Sequence, residues 1–163
     1  MEHDGQVSVR NPDWKELMDR QEWCGPERLG MANPPGKGGT YVIQVYAGTT
    51  PRAVRRANGD DVLGVLLIGE SINLARRINT MRSAMQLLDD KRSFSHRPGL
   101  EYSKGWGYDF ARAFEYTTLN VRYWMTRSHA VLEATLLERY RWEYLDRPPL
   151  KLLERQMAEL QAQ

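Results

Sequence analysis

Apolar residues recur along this chain in two periods, and the switch between them marks its elements. From Thr40 to Tyr46, Tyr41, Ile43 and Val45 alternate with Val42 and Gln44, and the β-branched and aromatic content suits a strand. Val62 to Ile68 is almost entirely apolar and predicts a second strand. Leu119, Val121, Tyr123 and Met125, alternating with Asn120, Arg122 and Trp124, predict a third. Between the second and third, Leu74, Ile78, Met81, Met85 and Leu88 recur at three- and four-residue steps, the pattern of an amphipathic helix, with Ser71 ahead of them as its cap. Ser128 is placed to cap a further helix running to about Tyr144, and Pro148 and Pro149 end it.

The connections fill in the order. Gly48 to Asp61 holds Pro51, Arg52, Arg55, Arg56 and an Asn58-Gly59 turn signal, which predicts a hairpin joined by a basic insertion. Lys91 to Gly107 carries Lys91, Arg92, His96, Arg97, Lys104 and Trp106 without periodicity and reads as an exposed loop, with a short helix around Tyr108 to Phe114 after it. Ahead of the first strand, Asp13 is positioned to cap a helix from Trp14 to Trp23, and a Pro/Gly cluster follows from Asn33 to Gly39. A last polar helix, Leu150 to Leu160, suits packing or dimerisation. The expected fold is α+β: a small three-stranded antiparallel sheet flanked by helices, with an N-terminal arm over 1–38, the domain proper over 39–150 and a C-terminal helix over 151–163.

Length and composition narrow this picture only a little. The 163 residues suffice for one compact domain with a core, not for two of ordinary size. A net charge of +2 does not by itself announce a nucleic-acid partner, so any basic patch must be local. Cys24 is the only cysteine, which excludes an intrachain disulfide. The polar N-terminus lacks a signal-peptide core and no window approaches a membrane span, so a soluble protein of the reducing cytoplasm is expected. Gly36-Lys37-Gly38-Gly39-Thr40 glances at a phosphate-cradling loop, but it precedes a strand and lacks the Lys-Ser or Lys-Thr ending.

Two charges fall where helical spacing predicts apolar neighbours. Arg77 lies three after Leu74 and four before Met81, bordering the face that should meet the sheet; Arg76 points to solvent. Glu133 lies three after Ala130 and four before Leu137, likewise on the inner side of its helix. One explanation is a structural ion pair across the sheet; the other is a phosphate-binding arginine beside a metal-binding carboxylate. His129 precedes Glu133 by one turn, but three histidines in the chain leave few partners for a closed zinc site, and an ordinary surface histidine is expected.

These residues resemble a known family. Gly39-Thr40-Tyr41 opening one strand, Leu67-Ile68-Gly69 closing the next, then Ser71, Asn73, Leu74 and Arg77, look like the GIY-YIG nuclease superfamily. Gly69 to Arg77 reproduces the eight-position spacing from the second glycine to the family's catalytic arginine. Ala130, Glu133, Leu136, Leu137, Tyr140, Pro149 and Leu150 are similar to its later helix and closing motif. Three positions depart: Leu67 stands for the tyrosine of the second half-motif, Met81 for the Tyr or His one turn after the arginine, and Lys151 for the terminal Asn.

The resemblance implies that Tyr41 acts as, or orients water toward, the base, that Arg77 holds the scissile phosphate, and that Glu133 binds a magnesium or manganese ion. Phosphodiester hydrolysis needs an in-line nucleophile and stabilisation of charge on the phosphoryl oxygens, which a guanidinium and a hard cation supply. A tyrosine with a pKa of about 10 is a poor base at neutral pH, and Tyr46, Tyr102 or His96 from nearby segments are candidates for the missing groups. Two basic loops, Arg52, Arg55 and Arg56 in one and Lys91, Arg92, Arg97 and Lys104 in the other, are expected to flank the site on the phosphate backbone, with Trp106 stacking on a base. Three functions follow: a metal-dependent DNA endonuclease, acting as a homodimer where both strands are cut; a catalytically impaired relative that binds nucleic acid or a protein; or an interaction domain in which Arg77 and Glu133 form a buried pair.

Overall fold

A computed structural model of the chain describes residues 13–89 and 113–150, with side chains over 13–83 and 113–150. Its elements, in order, are α1 (Trp14–Met18), β1 (Cys24–Arg28), β2 (Gly39–Ala47), β3 (Thr50–Pro51), β4 (Val54–Arg55), β5 (Asp60–Asp61), β6 (Val65–Ser71), α2 (Leu74–Asp89), a 3₁₀ turn (Tyr116–Thr118), β7 (Leu119–Met125) and α3 (His129–Tyr144). The architecture is α+β with an antiparallel sheet. β2 lies at its centre, pairing with β6 through Tyr41 opposite Gly69 and with β7 through Tyr41 opposite Tyr123. Among the described residues no helix is long and apolar enough to cross a membrane.

The three expected strands are all present, the second displaced by three residues at each end, to Val65–Ser71. Val62, expected to open the second strand, is 64% exposed, and β6 starts at Val65. The Asp61 carboxylate accepts from the backbone of Leu63 and Val65, and Gly64 has a φ of 62°, so these residues form a turn before extended pairing begins. The N-terminal residues also differ from expectation. The helix capped by Asp13 stops at Met18 after a capping box with Glu16, and Cys24–Arg28 forms an additional strand on the free edge of β7. Trp14, Leu17, Met18 and Trp23 are buried in the core, where Trp14 meets Tyr140 edge-on at 5.1 Å.

Strand alternation divides the core in two. Tyr41, Ile43 and Val45 face the side where α2 lays Leu74 and Ile78, together with Leu119, Val121 and Tyr123 of β7. Val42, Val65 and Ile68 face the other side, against Leu136, Tyr140 and Tyr144 of α3. Gln44, a buried polar residue of that second face, donates from Nε2 to the Leu63 carbonyl at 2.8 Å. Gly69 serves the first face. A Cβ there would come within 2.5 Å of the Tyr41 ring, and that ring is only 1% exposed, so it has nowhere to move.

The far end of α3 is held by the 48–61 connection. Asp61 is fully buried and accepts from Tyr140 at 3.0 Å and Tyr144 at 3.4 Å, besides its two backbone donors. Asn58 donates from its backbone N–H to the Tyr144 carbonyl and from its amide to the Glu143 carbonyl, both at 3.0 Å. Arg56 pairs with Asp146 at 2.8 Å and donates to the Arg147 carbonyl. The last carbonyls of a helix have no partners within it, and this connection supplies them.

Burial pushes the Asp61 carboxyl above its ordinary value of 3.8, against four hydrogen bonds that pull it down. Burial, with the Asp61 charge second, pushes the Tyr140 and Tyr144 phenols up as well. A carboxyl whose folded pKa is raised binds its proton more tightly in the native chain; the stability it contributes is complete below 3.8 and is lost as pH rises through the raised value. In urea unfolding between about pH 4 and pH 7, the unaltered protein is expected to lose stability relative to Asp61→Asn as pH rises. A relative gain would mean that the four donors outweigh burial. For the glycine, Gly69→Ala is expected to lower unfolding free energy by about 1–3 kcal/mol. In a double-mutant cycle, Tyr41→Leu should relieve part of that loss, whereas strict additivity would show that the ring and the glycine are not in conflict.

Candidate functional site

One end of the sheet gathers chemistry from four segments. There β2 begins at Gly39, β6 ends at Ser71, and both long helices start. The loop preceding β2 runs between the two helix starts: the Leu74 N–H donates to the Lys37 carbonyl at 2.9 Å, the Thr126 N–H to the Gly38 carbonyl at 3.1 Å. A Cβ on Gly38 would lie 3.1 Å from the His129 ring. Gly39 is tighter still, since a Cβ would come 2.5 Å from the Trp124 carbonyl oxygen and 2.6 Å from Leu74. Gly39 thus lets β7 and α2 close on β2.

The helix starts are capped differently from expectation. Asn73 caps α2, its side chain accepting from the Arg76 N–H at 3.0 Å, while Ser71 accepts from the Asn73 N–H and shapes the turn before it. Ser128 stands at the cap position of α3 without a side-chain bond; the Thr126 hydroxyl accepts from its N–H at 3.1 Å. Because Leu74, Ala75, Arg76 and Arg77 all donate their N–H groups to Lys37, Pro35 or Asn73, the first amides of α2 are already satisfied. An anion at this end would be met by side chains and by the helix dipole.

Arg77 extends from the first turn of α2 and is exposed, as are Arg76 and Lys37. Its expected position on the sheet-facing border is taken by Ile78, which is fully buried; one residue is about 100° of helix rotation, enough to turn the guanidinium out. Glu133 lies one turn into α3 and is half-buried. Arg77 therefore is not half of a buried pair. Tyr41 is buried on the α2 face, across Gly69, whereas α3 covers the opposite face. Arg77 and Glu133 thus lie on helices that start at one sheet end but on opposite faces, with Tyr41 inside.

The arginines of the 48–61 connection are elsewhere. They lie beyond the far end of β2, about 26 Å along the strand from Gly39 at ~3.3 Å per residue. Arg52 donates to the Ala113 carbonyl at 2.6 Å and stacks over the Phe114 ring at 5.1 Å. Arg55 pairs in the open with Asp60 at 3.1 Å. Arg56 is turned inward, onto the end of α3. The three expected to flank the site thus lie at the opposite end of β2 from Gly39, their guanidinium groups engaged with Ala113, Asp60 and Asp146. Arg92, Arg97, Lys104 and Trp106, with Lys91, His96, Tyr102 and the segment 151–163 where a last helix is expected, lie outside the described residues.

His129, read from sequence as an ordinary surface histidine, is the first residue of α3 and is tied in. Its Nδ1 lies 2.5 Å from Glu70 Oε2, its side chain is 18% exposed, and its carbonyl accepts from the Thr40 hydroxyl at 2.9 Å. Glu70 follows Ile68 by two on β6, which sets it on the α3 face, opposite Thr40 in register. That strand parity was the available signal; nothing linked the two residues along the chain. Among the described residues no group of three or more His, Cys, Asp or Glu side chains is close enough to hold a metal ion. No family model, no curated protein and no solved structure matches the chain, so the functional reading rests on its own residues.

Proposed function

We propose that this chain is a GIY-YIG-like domain that binds DNA and hydrolyses its phosphodiester bonds with a hard divalent cation, Mg2+ or Mn2+. The observation that carries the proposal is that an exposed cationic residue in the first turn of α2 and, on the other face, Glu70, His129 and Glu133 all lie toward the same end of the sheet. Arg77, with Lys37 and Arg76 beside it, is the phosphate-holding element. Its guanidinium meets non-bridging oxygens in a geometry that a lysine does not match.

Glu133 is the side chain that would hold the cation. A half-buried carboxylate that belongs, among the described residues, to no cluster of three or more metal-ligating side chains fits magnesium, which keeps most of its waters and takes the rest of its oxygens from phosphate. When bound, such an ion neutralises developing charge on the phosphoryl oxygens. Tyr41 has a structural part in this reading: packed over Gly69, it fixes β6 against β2 and with it the turn that launches Arg77.

A second reading, a module that binds nucleic acid without cutting it, is favoured by Leu67. It is buried and brings no hydroxyl where the family has its second tyrosine. The two readings separate on one assay. Purified protein incubated with supercoiled, linear and single-stranded DNA is expected to cut only when Mg2+ or Mn2+ is present. Arg77→Ala should lower kcat/KM by about 100- to 1000-fold, and Glu133→Ala should abolish the metal-dependent cleavage. Binding in a gel shift, weakening with salt, without any cutting would favour the second reading. Cutting that persists in Glu133→Ala would sink the first.

A further inference from the structure

We propose that His129, oriented by Glu70, is the general base that activates the attacking water in this site. The inference rests on the hydrolytic reading above and supplies what that reading lacks. The tyrosine to which the resemblance gives the base role is fully buried, and a phenol with an ordinary pKa of about 10 holds its proton at neutral pH.

The geometry carries the assignment. Glu70 Oε2 lies 2.5 Å from His129 Nδ1. A carboxylate only accepts, so Nδ1 carries the hydrogen, which in the one-proton form of the ring leaves the lone pair on Nε2. That nitrogen lies toward the loop before β2, where a Cβ on Gly38 would stand 3.4 Å from it. The described residues give Nε2 no hydrogen-bond partner. That edge of the ring thus lies against the loop that carries Lys37, at the sheet end where α2 also starts. Glu70 holds the ring, and the Thr40 hydroxyl holds the backbone of the same residue through its carbonyl. A carboxylate that fixes the tautomer also stabilises the imidazolium formed when the proton arrives.

The step balances without a further reagent. A water oxygen attacks phosphorus in line, forming one P–O bond as the ester bond to the departing sugar oxygen breaks. The water's proton passes to Nε2. The electron pair of the broken bond stays on the departing oxygen, which is protonated from solvent, and the imidazolium returns its proton to solvent. The products are a phosphate monoester end and a hydroxyl end.

The test uses the full chain, Mg2+ and supercoiled plasmid. His129→Ala is expected to lower kcat by about 100-fold or more with KM unchanged, and added free imidazole should restore part of the rate. His129→Gln retains an N–H for Glu70 and should remain folded, by its thermal melt, yet show the same kcat loss. Glu70→Gln, a positioning change, should lower kcat by about 10- to 100-fold without altering DNA affinity. If both His129 variants cut at the unaltered rate, or if imidazole restores nothing to folded His129→Ala, His129 is only a pin between α3 and β6, and the hydrolytic reading stands without it. If the unaltered protein cuts no DNA under any metal condition, that reading falls and takes the general base with it.

Discussion

A carboxylate with no access to water lies where the 48–61 connection, β6 and α3 meet, and the position of α3 depends on it. Asp61 ties two backbone amides at the start of β6 to two tyrosines in the last turns of the helix. Burying a carboxylate is expensive unless its lone pairs are filled, and here four donors fill them. α3 is 16 residues long, about 24 Å at ~1.5 Å per residue, and is stiff over that span. Anchoring it at Tyr140 and Tyr144 therefore helps decide where His129 and Glu133 come to rest at the other end of the sheet. Glu70 and Thr40 complete the restraint from the site side.

The connection that provides this anchor was legible as a turn-rich basic insertion but not as a clamp. Arginine clusters in a sequence look like solvent-facing patches, because the chain does not display which carbonyls will be left unpaired at a helix end. Arg56 and Asn58 find such carbonyls 85 to 91 residues away. Local signals fared better: the alternation in Tyr41, Ile43 and Val45, and in Leu119, Val121 and Tyr123, gives both the strands and the buried face. β1 escaped notice because Cys-Gly-Pro-Glu-Arg reads as a turn. It is a strand because β7 offers it an edge.

The candidate site was partly readable for the same reason. The spacing from Gly69 to Arg77 encodes a strand end, a capped turn and the first turn of a helix, all local. Whether Arg77 faces in or out depends on helix phase, and Ile78 takes the inward place. The pairing of Glu70 with His129 spans 59 residues and becomes visible only once β2 and β6 are in register.

Clamping α3 at both ends also limits how the domain can respond to a ligand. A rod fastened at one tip by Asp61 and its tyrosines, and at the other by Glu70 and Thr40, resists sliding along the sheet. The loop before β2 is drawn into the same frame, since the carbonyls of Pro35, Lys37 and Gly38 accept from Ala75, Leu74 and Thr126.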